Sequence, residues 1–440
     1  MTLFAQIYNK IRGREGLQKV LKNILWLFYD RFFRMGFSLI VGALLARYLA
    51  PSLYGVFNYA FSFVALFAVL GSLGLDNIFI REMVKSPDKE NVFLGTAFLL
   101  KLAGGFLVVI FSVGVIVLTK PNDPLSQALV LIVAAGYVLQ SVNVIDLYFQ
   151  SRIKSKYTVI SNNVAFIVSS AAKLTFIFLK APLIVFVWLY IAEIVISDLG
   201  LLIFYHRLGC KTKLWRFNPE VALNLLRDSW PLILSGAAVM IYMRIDQVMI
   251  GNMIGNTQLG LYSSAVKISE VWYFIPMAIV SSIYPKIIES KKTSLDLYNR
   301  RTQQMFNVMA MLGYFAAFVG TFFSGLIIRW IFGQDYVGAA NILSVHIWCG
   351  LFISMGVSRG SWLINENIMR FQLYTASLGA LVNVVLNLFL IKRYGGVGAA
   401  FATLISQVMV SYLATLFVSR KVFLMQSKAL LFNWRNSFYA

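Results

Sequence analysis

Charge is scarce in this chain. Only 13% of its 440 residues are charged and only 18 are acidic, against a charged share of about a quarter in ordinary soluble domains. Two cysteines leave no disulfide framework, because Cys210 falls in a polar basic segment and Cys349 inside an apolar run. The two histidines, His206 and His346, are equally isolated, and no Cys, His and carboxylate cluster has ligand spacing. Neither a metal nor any other cofactor is expected.

What is present is apolar. The hydrophobic share is 59% and the mean hydropathy is +0.75, the signature of an integral membrane protein. A helix needs about 20 mostly apolar residues to cross the hydrocarbon layer. Twelve such runs can be drawn, over residues 24–49, 55–80, 92–118, 125–148, 158–179, 182–205, 230–254, 259–283, 304–330, 339–363, 371–391 and 397–418. Residues 1–23 form a basic amphipathic stretch with no small-residue cleavage site, and read as a helix on the membrane surface rather than as a signal peptide.

The net charge of +21 could point to nucleic acid, but the placement of the basic residues argues otherwise. With twelve crossings, one side collects the basic residues of segments such as 10–22, 81–89, 152–156, 207–227 and 286–301, together with Arg359, Arg370 and those of the C-terminal segment. The other side holds only Arg47, Lys120, Lys180, Arg329, Lys392 and Arg393. That asymmetry is the positive-inside pattern, which places both termini in the cytoplasm and draws the inner face to anionic membrane lipids. Nucleic acid is not an expected partner.

The chain also repeats itself. "ARYLAPSLYGVFNYAFSF" from Ala46 lies over "GNMIGNTQLGLYSSAVKI" from Gly251 at a constant offset, matching Leu49 to Ile254, Gly55 to Gly260, Phe57 to Tyr262 and Ala60 to Ala265. The expected fold is therefore all-α, with about twelve transmembrane helices in two six-helix lobes related by a pseudo-two-fold axis around a central cavity. The divisions are a surface segment 1–23, an N-lobe 24–206, a cytoplasmic linker 207–228, a C-lobe 229–419 and a cytoplasmic tail 420–440. An even number of crossings per half makes the repeats parallel, an architecture found in alternating-access transporters. A duplicated scaffold without a pathway is the bland alternative.

Charges inside the runs carry the functional argument, since each would cost about 3 kcal/mol if it faced lipid at mid-depth. The basic ones are Arg31, Arg34, Lys101, Lys173, Arg244 and Lys267; the acidic ones are Asp30, Asp76, Glu193, Asp198, Asp246 and Glu270. Asp30 and Arg34, four apart, and Lys267 and Glu270, three apart, can pair along one helix face, which would make them packing elements only. Arg244 and Asp246 are two apart, about 200° around the helix, and need separate partners. At the matched positions of the first repeat stand Leu39 and Val41, so these charges belong to one half alone. Lys101, Lys173, Glu193 and Asp198 lie near enough to run ends to reach the interface.

A cavity lined by Arg31, Arg34 and Arg244, with Lys267 as a further candidate, would be cationic and would select an anion, phosphate above all. Asp30, Asp76, Asp246 and Glu270 are candidates for ion coupling or for a salt bridge between lobes. Interior amides such as Gln140, Asn143, Gln247, Asn383, Asn387 and Gln407 suit sugar hydroxyls, and serve helix packing equally well. Pro276 should kink the eighth run and act as a hinge.

The stretches "GALLARYLAPSLYGVFNYAFSF", "RIDQVMIGNMIGNTQLGLYSSAVKISEVWYFIP" and "YGGVGAAFATLISQ" resemble the polysaccharide flippases of the multidrug/oligosaccharidyl-lipid/polysaccharide exporter superfamily. One departure is Ala50, where the family turn often has Gly. The resemblance implies movement of undecaprenyl-pyrophosphate-linked oligosaccharide from the inner to the outer leaflet of the bacterial cytoplasmic (inner) membrane, for O-antigen, lipopolysaccharide or capsule. It also implies coupling to an ion gradient, H+ or Na+, and work alongside other polysaccharide assembly proteins. On this chain the implied cavity positions are Arg31 and Arg34 on the first helix and Arg244 and Asp246 on the seventh.

Two other readings compete. A cation or drug antiporter of the same superfamily would want an acidic cavity, which the basic inventory opposes. A membrane enzyme of polysaccharide assembly, a polymerase or ligase, would need a sizeable outer loop or paired carboxylates, and no acidic cluster appears in a loop. The chain is read as a transporter without catalysis.

Overall fold

The computed structural model describes the backbone of residues 15–366, 368 and 370–433, with side chains from Phe33 onward and that of Trp26. Most of the expected surface segment, and the side chains of Asp30 and Arg31, therefore lie outside the described residues. No strand occurs among those described. The helices are α1 (Glu15–Ala65), α2 (Ala68–Ser72), α3 (Asp76–Lys85), α4 (Glu90–Thr119), α5 (Pro124–Leu139), α6 (Val144–Ser151), α7 (Lys156–Phe178), α8 (Leu183–Arg207) and α9 (Pro219–Met253). They continue with α10 (Asn256–Trp272), α11 (Phe274–Thr293), α12 (Leu295–Phe322), α13 (Ser324–Ile331), α14 (Ala339–His346), α15 (Cys349–Asn365), α16 (Arg370–Ser411) and α17 (Arg420–Leu430).

Among the described residues, ten helical stretches are long and apolar enough to cross a membrane. Two of them run through a residue whose backbone is not helical, Ala50 in α1 (φ 56°, ψ 169°) and Gly395 in α16 (φ 59°, ψ −139°). At Gly395 the chain doubles back: the amide of Asn383 donates to the Thr403 hydroxyl at 3.3 Å, although twenty residues of straight helix would separate them by about 30 Å. Dividing both stretches at these residues gives twelve segments, the number of runs read from sequence, although the piece after Ala50 ends at Ala65. Pro51, directly after Ala50, suits the start of a helix because its missing N–H would be unbonded there in any case.

Contacts divide the chain into two compact units. The first holds the chain up to Gly42 and Phe67–Ile233; the second holds Ala43–Leu66 and Leu234 onward. In the first unit, Phe79, Leu94, Val144, Phe149, Leu201 and Tyr205 form a buried core. Part of the basic segment after α8 is fastened to it, with the Arg216 amide donating to the Asn91 carbonyl at 3.0 Å and the Trp215 indole to the Tyr205 hydroxyl at 3.0 Å. In the second unit, Met305, Phe306, Met309, Leu351, Met355, Val422 and Ala429 form the corresponding core. Residues such as Phe178, 87% exposed, and Phe322, 79% exposed, face outward where a bilayer would cover them.

The repeat reappears as backbone geometry inside the second unit. Gly255, which matches Ala50, has φ 96° and ψ 173°. The matched glycines Gly55 and Gly260 make reciprocal contacts: a Cβ on Gly55 would overlap the Asn256 carbonyl, and one on Gly260 would overlap the Pro51 carbonyl. Pro51 and Asn256 are themselves a matched pair. Each repeat therefore presents to the other the same backbone approach, which only a hydrogen side chain permits.

Three expectations need correction. Arg359, assigned to the inner-side loops, lies within α15 and is 2% exposed; it donates to the Val410 carbonyl and stacks over Phe371 at 5.5 Å. It is buried because α15 crosses close to the end of α16, where a main-chain carbonyl takes its charge. The second run is not one helix: it breaks at Leu66 and Phe67 and again at Leu73 and Gly74, both with positive φ. The kink expected from Pro276 falls ahead of it, at Tyr273, because the proline lacks the N–H that would bond the carbonyl of Trp272, the last residue of α10.

Ala50→Gly should raise the thermal unfolding temperature in detergent, by relieving about 1 kcal/mol of left-handed backbone cost. Gly260→Ala should lower it, because the added methyl group meets a main-chain carbonyl that cannot rotate away. Asp123 caps α5 with bonds from the Ser126 amide at 3.0 Å and its hydroxyl at 2.6 Å. Burial alone would raise its pKa, but the Ser126 bonds and the Lys120 ammonium together hold it below the usual aspartate range. Its stabilising effect should be complete above about pH 4 and disappear as pH falls through that lowered value. A stability difference between wild type and Asp123→Asn that persists unchanged in acid would contradict this.

Candidate functional site

In the second unit, α9 and α10 carry the charges that sequence singled out. Asp246 is 3% exposed and is surrounded by donors. The Tyr262 hydroxyl donates to one carboxylate oxygen, the Thr403 hydroxyl reaches the same oxygen at 3.4 Å, and the Gln247 amide donates to the other at 2.7 Å. The hairpin at Gly395 supplies the rest of the site. Thr403 accepts from Asn383, whose side-chain oxygen accepts from the Asn387 amide at 2.9 Å, while the Asn387 side-chain oxygen is buried without a partner. Asp246 makes no ion pair with any described residue. The result is a buried, oxygen-rich cluster that joins one carboxylate, two hydroxyls and the side-chain amides of Asn383 and Asn387 in one hydrogen-bonded chain.

Arg244 points elsewhere, as its spacing from Asp246 requires. Its two terminal nitrogens face the two oxygens of Glu270, each at 3.4 Å, with both side chains about one-third exposed. This replaces the pairing expected along α10. Lys267 makes no ion pair with a described residue, because the Arg244 guanidinium offers Glu270 a two-point contact that one ammonium cannot match. Next to this pair, Gln247 accepts from Ser62 at 2.7 Å and from Ser263 at 3.4 Å.

The first unit contains a polar cavity of about 270 Å³ bordered by Arg34, Gln140, Asn162, Tyr190, Glu193 and Asp198. Arg34 contacts Glu193 at 3.8 Å and Lys173 contacts the same carboxylate at 3.1 Å. A second cavity of about 170 Å³ shares Gln140 and Asn143 with the first and contains Asp76, Lys101 and Asp146. There the Lys101 ammonium donates to Asp76 at 2.6 Å, and Asp146 accepts from Thr158 at 2.7 Å and Gln150 at 3.0 Å.

Sequence reasoning had sent Lys101, Lys173, Glu193 and Asp198 toward the membrane interface. The structure turns them inward, and three of the four find ion partners on another helix. Their positions within a single run do not reveal this. The available signal was that Lys173 and Glu193 lie on consecutive runs joined by a short turn, so that opposite charges of long reach face each other across a hairpin. Of the other sequence candidates, Asp30 and Arg31 fall outside the described side chains, and Pro276 lies just past the break at Tyr273.

A helical bundle that turns charged side chains into polar cavities, and exposes rings such as Phe178 and Phe322 on helices long and apolar enough to cross a bilayer, is a multi-pass membrane protein. A family model described as polysaccharide biosynthesis protein matches residues 20–291, and the chain belongs to that family. It is 21% identical over 397 residues to a putative O-antigen transporter of Shigella flexneri, covering 87% of this chain and 94% of that one. Four further relatives align over less than half of their own length. In fold the chain is similar to the lipid II flippase MurJ in an inward closed conformation, with a TM-score of 0.71 at 16% identity over 95% of this chain and 93% of that one. It is also similar to an inward-facing multidrug resistance MATE family transporter, with a TM-score of 0.74 at 14% identity over 92% and 99%.

Tyr262→Phe should destabilise the protein by about 1–3 kcal/mol, because it strips a buried carboxylate of one of its three donors. Thermal unfolding in detergent, compared with Tyr374→Phe at an exposed position, measures this.

Proposed function

We propose that the chain carries a lipid-linked oligosaccharide, on undecaprenyl pyrophosphate, from the inner to the outer leaflet of the bacterial cytoplasmic membrane. The lobes at residues 24–206 and 229–419 alternate access around a central cavity, joined by the linker 207–228 and flanked by the segments 1–23 and 420–440 on the cytoplasmic side. One observation carries the reading. Arg34 and Arg244, each about one-third exposed, rest on carboxylates at 3.8 Å and 3.4 Å, at the long end of ion-pair distance. Their guanidinium groups keep donors for a pyrophosphate, which can take the carboxylate's place as partner. Arg31 and Lys267 belong to the same cationic set, and the amides around the first-unit cavity suit sugar hydroxyls.

Coupling to H+ or Na+ is assigned to the Asp246 cluster. A carboxylate among hydroxyl and amide oxygens suits a small hard cation or a proton, and Asn387 holds an oxygen in reserve. Asp30, Asp76 and Glu270 are secondary candidates. Tyr273 and Pro276 supply a hinge. No covalent step is required, and the protein acts as a transporter within a polysaccharide assembly line.

Arg34→Ala, Arg244→Ala and Arg31→Ala should each abolish surface glycan while leaving the protein inserted, and Lys replacements should retain part of it. Normal export by all three Ala variants would overturn the cationic cavity. Asp246→Asn should make leaflet transfer insensitive to collapse of the ion gradient. The decisive measurement is the leaflet distribution of lipid-linked glycan in cells with and without the protein: an unchanged distribution rejects flipping. A drug or cation antiporter is favoured by one observation, the carboxylate of Asp198 facing the first-unit cavity at 7% exposure. Protection of cells from cationic dyes by the wild type, lost in Asp198→Asn, would establish that reading instead.

A further inference from the structure

We propose that a groove on the second unit, between the first turns of α12 and helix α17, binds the phosphate headgroup of an anionic membrane phospholipid. The groove has a volume of about 560 Å³ and is bordered by three cations, Arg300, Lys421 and Lys428, by amides including Gln303 and Asn433, and by no carboxylate. Some cations near other helix ends are held by carboxylates, as Arg81 is by Asp228, Arg152 by Glu90 and Lys291 by Glu366. Lys421 and Lys428 make no ion pair with a described residue.

Helix α17 is held in a fixed rotation. Val422, Gln426 and Ala429 are buried, Gln426 donates to the Ser411 carbonyl at 3.1 Å, and the α17 carbonyls of Met425 and Leu430 accept from Gln303 and Tyr314, each at 3.0 Å. Lys421, Leu424 and Lys428, spaced i, i+3 and i+7, therefore form one stripe along the groove. Arg420 and Lys421 also occupy the first turn of α17, with no acidic residue there. Cations at the positive end of a helix dipole are unfavourable, and a bound anion relieves the conflict. The apolar neighbours decide the source of that anion. Leu424 is 48% exposed, Leu431 78% and Phe432 54%, beside an array that would hold phosphate. A free phosphate has no use for them, whereas a phospholipid lays its acyl chains there while its headgroup meets the lysines. This inference needs only that the helices lie in a membrane and does not rest on the transport reading.

The test uses the purified full-length protein, delipidated and titrated with phosphatidylglycerol in phosphatidylcholine nanodiscs, with retained lipid counted by native mass spectrometry. Lys421→Gln combined with Lys428→Gln should weaken phosphatidylglycerol retention by about tenfold or more, whereas Lys421→Arg with Lys428→Arg should retain it. The charge-matched control Lys392→Gln with Arg393→Gln should behave as wild type. Unchanged retention in the double Gln variant, or an equal loss in the control, overturns the site. In nanodiscs of phosphatidylcholine alone, saturation by millimolar inorganic phosphate would identify a free anion and overturn the lipid. Should the double variant fail to fold, Lys428→Gln alone, on the exposed face of α17, carries the same comparison at smaller size.

Discussion

A charge placed inside a bilayer must be compensated by the protein, because lipid offers it nothing. Much of the arrangement follows from this constraint. Arg34 and Lys173 converge on Glu193, Lys101 on Asp76, and Arg244 on Glu270. Arg359 uses a main-chain carbonyl where no carboxylate is at hand. Each ion pair joins two different helices, most of them neighbours in the chain and, for Arg34 with Glu193, far apart in it. The same economy that hides the charges creates cavities where a polar headgroup can be received.

Asp246 shows how that constraint becomes a functional resource. Among the described residues it meets hydrogen-bond donors, from Tyr262, Thr403 and its neighbour's backbone amide, and no cation. A buried ion in that condition is costly unless a cation or proton joins it. The arginines differ, since each shares its charge with an acid at long range and can exchange that acid for a phosphate. One helix, α9, thus carries both kinds of group two residues apart, pointing in different directions.

Backbone constraints complete the picture. The matched turns at Ala50 and Gly255 and the reciprocal contact of Gly55 with Gly260 make the duplication a physical interface within the second unit, and not only a pattern of letters. That the second unit takes in Ala43–Leu66 follows from the same contact, since a carbonyl pressed against a glycine hydrogen packs more closely than any side-chain contact permits.

Much of this was legible beforehand. Long apolar runs must be helices in lipid, so composition and run length determined the fold class. The offset repeat located the turns, and the 200° separation of Arg244 and Asp246 required them to have different partners. Which partners they found was decided only by tertiary structure. Helical spacing governs neighbours on one helix, whereas Glu270 answers Arg244 from the next helix, Thr403 approaches Asp246 from a distant hairpin, and Lys173 meets Glu193 across a turn. In a low-dielectric interior the strongest available pairing wins over the nearest one in sequence. The helices were written in the apolar runs, and the site was made by the way their few charges found one another.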